Sequence, residues 1–138
     1  MLVADTTVIA HLHIPGDRQA LAIAAYRHDP DWVTVPLWRY EFINVLWKMQ
    51  RAGHRDAEAA AKSLQLARER LIPRERVPDD LEALALALKH SISAYDAYFV
   101  TLAEELRLPL LTQDRELLTK FPDTAVSLEA FAGGSGNW

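Results

Sequence analysis

The chain opens with an unbroken apolar run, Leu2, Val3 and Ala4, followed by Asp5, Thr6 and Thr7 and then by apolar positions at helical spacing as far as His11. A short apolar run closed by residues that cap helices predicts a buried strand feeding a helix. The same alternation recurs along the chain. A helix is predicted over 17–27 with Ala20, Leu21, Ile23 and Ala24 inward, then a strand over 32–35, and Pro36 suits the first turn of a helix that continues to Arg51. Gly53 separates this helix from another over 54–70. Pro73 and Pro78 bracket a connection into a helix over 79–89, whose Leu81, Leu84 and Leu88 make one stripe. Ser93 opens a helix to about Arg107, a buried strand covers 108–112, Asp114 begins a short helix, and a last strand covers 125–128. Short apolar strands separated by helices predict an α/β fold with a parallel sheet covered on both faces.

Composition narrows the class. The chain has 138 residues, half of them hydrophobic and a quarter charged, which suits one globular domain. No run approaches the ~18 uncharged apolar residues of a membrane span, and the opening apolar stretch is too short for a signal peptide, so a cytoplasmic protein is expected. Residues 1–131 are expected to form the domain and 132–138, rich in Gly and Ser, a flexible tail. The absence of cysteine excludes disulfides, thiolate zinc sites, iron–sulfur clusters and cysteine nucleophiles, so any metal must sit on oxygen or imidazole. Net charge is -4, unlike a domain that simply coats nucleic acid. From Lys48 to Arg76, however, eight basic residues face four acidic ones. That segment reads either as a solvated helical face with ion pairs or as an arm that meets phosphates.

Four carboxylates stand out against this pattern. Asp5 closes the first strand, and Asp114 follows the strand ending at Thr112 after one spacer. In parallel sheets ligands collect beyond the carboxyl ends of the strands, although an Asp at such a junction also caps the helix that follows. Glu41 lies three residues after Trp38 and four before Val45, on the inward stripe formed with Phe42, Leu46 and Met49. Asp96 shares the inward face of Phe99, Leu102, Ala103 and Leu106. A carboxylate in apolar surroundings is paired with a cation, bonded by amides or bound to metal. Asp96 could instead be the acid of a capping box opened by Ser93, and Glu41 a partner of Arg39. Taken together, four hard oxygen ligands from two strand ends and two helices make a site for Mg²⁺ or Mn²⁺.

Asp5-Thr6-Thr7-Val8-Ile9, Glu41 within Tyr40-Glu41-Phe42-Ile43-Asn44-Val45-Leu46, Tyr95-Asp96-Ala97-Tyr98-Phe99 and Leu111-Thr112-Gln113-Asp114 occur in an order that resembles the PIN-domain ribonucleases. Within them the chain is similar to the VapC-type toxins of prokaryotic toxin–antitoxin pairs. The resemblance implies a three-layer α/β/α sandwich whose acidic pocket binds one or two Mg²⁺ or Mn²⁺ ions and cuts RNA. It carries the family's acids onto Asp5, Glu41, Asp96 and Asp114 and its hydroxyls onto Thr7 and Thr112, where many relatives have Ser at the position of Thr7. It also implies an antitoxin partner, for which Leu46, Trp47, Leu64 and Leu66 are candidate contacts, and a homodimer. Lys48, Arg51 and Arg55 are the candidate RNA contacts.

The remaining candidates have plainer readings. His11 and His13 lack a third ligand at zinc spacing and are read as core or surface residues. Trp32, Trp38 and Trp47 are read as core rather than stacking platforms. A phosphatase of the haloacid-dehalogenase type would need a second acid where Thr7 stands. A housekeeping PIN-type nuclease would also fit the pattern, as would an inactive interaction module in which the acids only cap helices.

Overall fold

The computed structural model describes residues 1–133. Four short strands, β1 (Leu2–Ala4), β2 (Trp32–Val33), β3 (Leu110–Leu111) and β4 (Ala125–Val126), form one parallel sheet in the order β2-β1-β3-β4. Val3 pairs with Val33 on one side and Leu110 on the other. All nine strand residues are buried, which explains their unbroken apolar character. The helices are α1 (Thr6–His13), α2 (Gln19–His28), α3 (Leu37–Arg51), α4 (Ala57–Leu71), α5 (Asp80–His90), α6 (Ala94–Leu106), α7 (Arg115–Lys120) and α8 (Leu128–Ala132). On one side α6 packs on β1 and β3 with α5 against it. Elsewhere α1 meets α2, α3 and α4, and α2 meets α8. The result is a three-layer α/β/α sandwich.

The chain leaves β1 through α1 and α2 to pair β2 on one edge, and much later returns to place β3 on the other. Strand order therefore reverses between β1 and β3, opening the crevice where such folds bind ligands.

Several boundaries differ from the sequence expectation, each for a local reason. The second strand ends at Val33 because Thr34 turns its hydroxyl to donate to Ala4 O at 2.8 Å, while its backbone bridges Glu75. The third is shorter because Arg107 caps α6 in the left-handed region, leaving Leu108 N bonded to Ala103 O. The expected strand through Leu128 stops at Val126, and Ser127 accepts from Ala130 N to start α8. The predicted tail over 132–138 lies outside the described residues except for Ala132, which ends α8, and Gly133, which caps it. In α5 the buried side is Ala83 and Ala87, small enough to bring the helix close to α6. The stripe Leu81, Leu84 and Leu88 faces outward at 76, 52 and 73% exposure.

Candidate active site

Asp5 sits where β1 gives way to α1, and its extended backbone lets it cap the helix: Oδ1 accepts from Thr7 N at 3.0 Å and Val8 N at 3.4 Å. The capping reading is therefore correct but incomplete. Thr7 Oγ1 also donates to Oδ1 at 2.5 Å, and Thr112 Oγ1, arriving from the end of β3, donates to Oδ2. The carboxylate is only 4% exposed. Burial pushes its pKa up to about 6, against the opposing pull of these hydrogen bonds, of which that from Thr112 is the largest.

The two hydroxyls also order the opposite loop. Thr112 Oγ1 accepts from Asp114 N and Thr7 Oγ1 from Gln113 N, both at 3.0 Å. Asp114 in turn caps α7 through Oδ1, which accepts from Leu117 N at 3.1 Å. The ends of β1 and β3 are thus stitched together by side chains where the backbone ladder stops.

Glu41 is half-buried on α3, and its Oε1 accepts from Thr6 Oγ1 at 2.6 Å. Arg39 does not neutralise it, because that guanidinium pairs with Glu75 at 3.0 Å. Burial raises the Glu41 pKa, Thr6 opposes this, and the charge of Asp96 adds to it. Asp96, also half-buried, is raised by burial first, then by Asp114 and Glu116, with Ser93 opposing. Its proposed capping box is half formed: Ser93 Oγ accepts from Asp96 N at 3.0 Å, and the reciprocal bond from Ser93 N is absent among the described residues. Glu116 is an acid that the sequence does not single out; it lies in the first turn of α7 and contacts Lys120 at 3.5 Å.

Among the described residues, none of the four acids takes part in a salt bridge. Their chemistry, hard oxygen donors of which Glu41 and Asp96 are pushed up by the charge of a neighbouring acid, suits a divalent cation. As the side chains stand, no three carboxylate or imidazole groups among the described residues are placed to hold an ion. A cavity of about 270 Å³ opens beside Glu41, lined by Thr6, Thr7, Ala10, Asn44 and Val45 as well. The larger clefts between α5 and α6 and around the α3–α4 turn contain none of the four acids.

The basic segment divides. Lys48 lies two helical turns, about 10 Å, beyond Glu41 on nearly the same face of α3. Arg51 is exposed and stacks over Trp47 at 5.2 Å. Trp47 is 53% exposed, which corrects its reading as core, whereas Trp32 and Trp38 are buried as expected. Arg55 is half-buried, its Nη2 donating to Ala59 O and Ser63 Oγ, both at 2.7 Å, so it braces α4. Lys62 pairs with Glu58 on α4, as the ion-pair reading predicts, whereas Arg74 pairs with Asp31, outside the segment. Arg70 lies over Tyr26 and donates to His13 Nε2 at 3.2 Å. The buried His13 donates from Nδ1 to Ile9 O at 2.7 Å, and burial pushes its pKa down to about 4, so it is a neutral core residue.

The PIN domain family matches residues 2–125. The chain is 38% identical to Ribonuclease VapC3 of Pyrobaculum aerophilum over 124 residues, spanning 88% of this chain and 95% of the relative. It is 37% identical to Exonuclease VapC9 of the same organism over 110 residues, spanning 75% and 82%. The crystal structure of PAE2754 from Pyrobaculum aerophilum superposes with a TM-score of 0.78 at 28% identity, covering 96% of this chain and 94% of that one. Acids at the switch point of a four-stranded parallel sheet, and likeness along nearly the whole chain to these proteins, lead to one assignment: this chain belongs to the PIN-domain family, on its VapC branch.

Proposed function

We propose that the protein is a Mg²⁺- or Mn²⁺-dependent ribonuclease that hydrolyses RNA phosphodiester bonds as the cytoplasmic toxin of a toxin–antitoxin pair. The observation that carries this reading is a set of four carboxylates about the ends of β1 and β3, headed by the buried Asp5, that no basic side chain among the described residues pairs with. A bound divalent ion would neutralise phosphate charge and activate water. Asp5, Asp96 and Asp114 would hold it directly or through water, with Glu41 as a further ligand or the anchor of an ordered water. Side-chain rotation at the half-exposed Glu41 and Asp96 would close the set. Thr7 and Thr112 fix the orientation of Asp5. Lys48 and Arg51 supply the positive charge for the RNA backbone that the pocket cannot, and the commitment of Arg55 to α4 makes its share smaller.

Two partners accompany this reading. The antitoxin would lie along α3 and α4, where Trp47 and Leu66 are exposed; Leu46 is buried and Leu64 is partly buried against the core. A second copy of the chain would cover the leucine stripe of α5. The test is RNA cleavage with Mg²⁺ or Mn²⁺, without either, and in excess EDTA. Wild type should cut only with metal, and Asp96→Asn should not cut. Undiminished cleavage in EDTA by protein free of contaminating nuclease overturns the metal mechanism. A circular RNA separates internal cutting, the expected outcome, from digestion that requires an end.

A further inference from the structure

The loop between β3 and α7 holds two site residues, Thr112 and Asp114, with Gln113 between them. Gln113 bonds outward in three directions. Its backbone N donates to Thr7 Oγ1 at 3.0 Å. Its side-chain Oε1 accepts from Leu128 N at 2.8 Å, and its Nε2 donates to both oxygens of Glu129, at 3.1 and 3.3 Å. Leu128 N is a first-turn donor of α8 that the Ser127 cap, committed to Ala130 N, does not serve. Glu129 is itself paired with Arg18, ahead of α2. One side chain therefore joins the loop of the acid centre to a helix that carries none of the four acids.

We propose that Gln113 is a positioning residue of the acid centre, holding Thr112 and Asp114 against Asp5 by tying their loop to Glu129 and the start of α8. The inference rests on the reading that the four acids bind a divalent cation. Carboxylates that repel one another drift apart unless the backbone beneath them is held, and an ion then has to reassemble them on binding. Residues that orient metal ligands from behind typically change metal affinity about 10–100-fold when replaced. Only Gln offers this reach with one acceptor for Leu128 N and one donor for Glu129. Glu would lose the donor and set a second carboxylate against Glu129.

The experiment is calorimetric titration of the metal-free protein with Mn²⁺, together with its melting temperature in EDTA. Gln113→Ala should weaken Mn²⁺ binding about tenfold or more. Gln113→Glu should weaken it too, and Gln113→Glu combined with Glu129→Gln should return it to within about threefold of wild type, because the amide and carboxylate have exchanged places. Ser127→Ala removes a cap from the same helix without touching the loop, so it should lower the melting temperature and leave Mn²⁺ binding unchanged. If Gln113→Ala lowers the melting temperature as Ser127→Ala does while binding Mn²⁺ like wild type, Gln113 only anchors α8 and the inference falls. Failure of the double variant to recover binding also overturns it. A wild type that binds no Mn²⁺ overturns the metal reading, and this inference with it.

Discussion

Asp5 accepts four hydrogen bonds, and its pKa nevertheless rises from 3.8 to about 6 because burial outweighs all four. A carboxyl whose folded pKa lies above its unfolded value binds more protons in the folded state. Its contribution to stability is therefore complete below about pH 4 and is lost as pH rises through about 6. At 1.36 kcal/mol per pKa unit the shift amounts to roughly 3 kcal/mol, and the upward shifts of Glu41 and Asp96 act in the same direction. The metal-free protein should lose stability between pH 4 and 7, and Asp5→Asn should flatten that slope and melt higher than wild type at pH 7. Urea titrations in EDTA across this range check both; equal slopes for wild type and Asp5→Asn would show that Asp5 is already ionised at low pH. The unusual placement of Asp5 and Glu41 is legible from sequence because an acid at a strand end or on an apolar stripe violates the local pattern. That of Gln113 is not, since a glutamine in a polar loop violates nothing and its role depends on a helix that folds back from 15 residues away. Arg55 misleads in the opposite sense, because only the fold reveals that Ser63 and Ala59 O already occupy it.

At the scale of elements, strand and helix identity follow from period and capping chemistry. Leu2–Ala4 is legible as a buried strand because all three residues are apolar and Asp5 stops the run. What period alone leaves open is which side of a helix faces in. Helix α5 carries leucines on one face and alanines on another, and the close approach to α6 selects Ala83 and Ala87 for the interior. Helix α8 escapes the sequence pattern because Ala125-Val126-Ser127-Leu128 reads as a continuous strand, and the Ser127 cap that divides it becomes visible only in the structure. The outward leucines form an apolar patch of the kind that marks protein contacts. If a second copy covers them, Leu84→Glu with Leu88→Glu should convert a dimer to a monomer in sedimentation equilibrium. Monomer stability should change by no more than about 0.5 kcal/mol, as for other exposed positions. A wild type that sediments as a monomer at tens of micromolar would remove the homodimer from the reading.

The whole molecule combines the acid centre with apolar and basic surface next to it on the same helix. Helix α3 carries Glu41 toward the acid centre and Trp47, Lys48 and Arg51 outward near its end. RNA and an inhibitory protein would therefore compete for adjoining surface, and a partner lying over Trp47 would need to extend only about two turns to bring a cation to Glu41. That geometry favours an inhibitor that occludes the centre over one that acts at a distance. Expression of the wild-type chain alone should arrest growth of a bacterial host, and Asp5→Asn at the same soluble level should be harmless. Co-expression of the antitoxin should relieve the arrest. Trp47→Ala should weaken that relief if the antitoxin lies over α3 as proposed, because it removes the exposed ring and leaves the four acids intact. Growth curves with matched immunoblots decide the matter: wild type and Asp5→Asn equally harmless would turn the reading toward a housekeeping nuclease or an interaction module, whereas arrest by both would place the toxicity outside the acid centre.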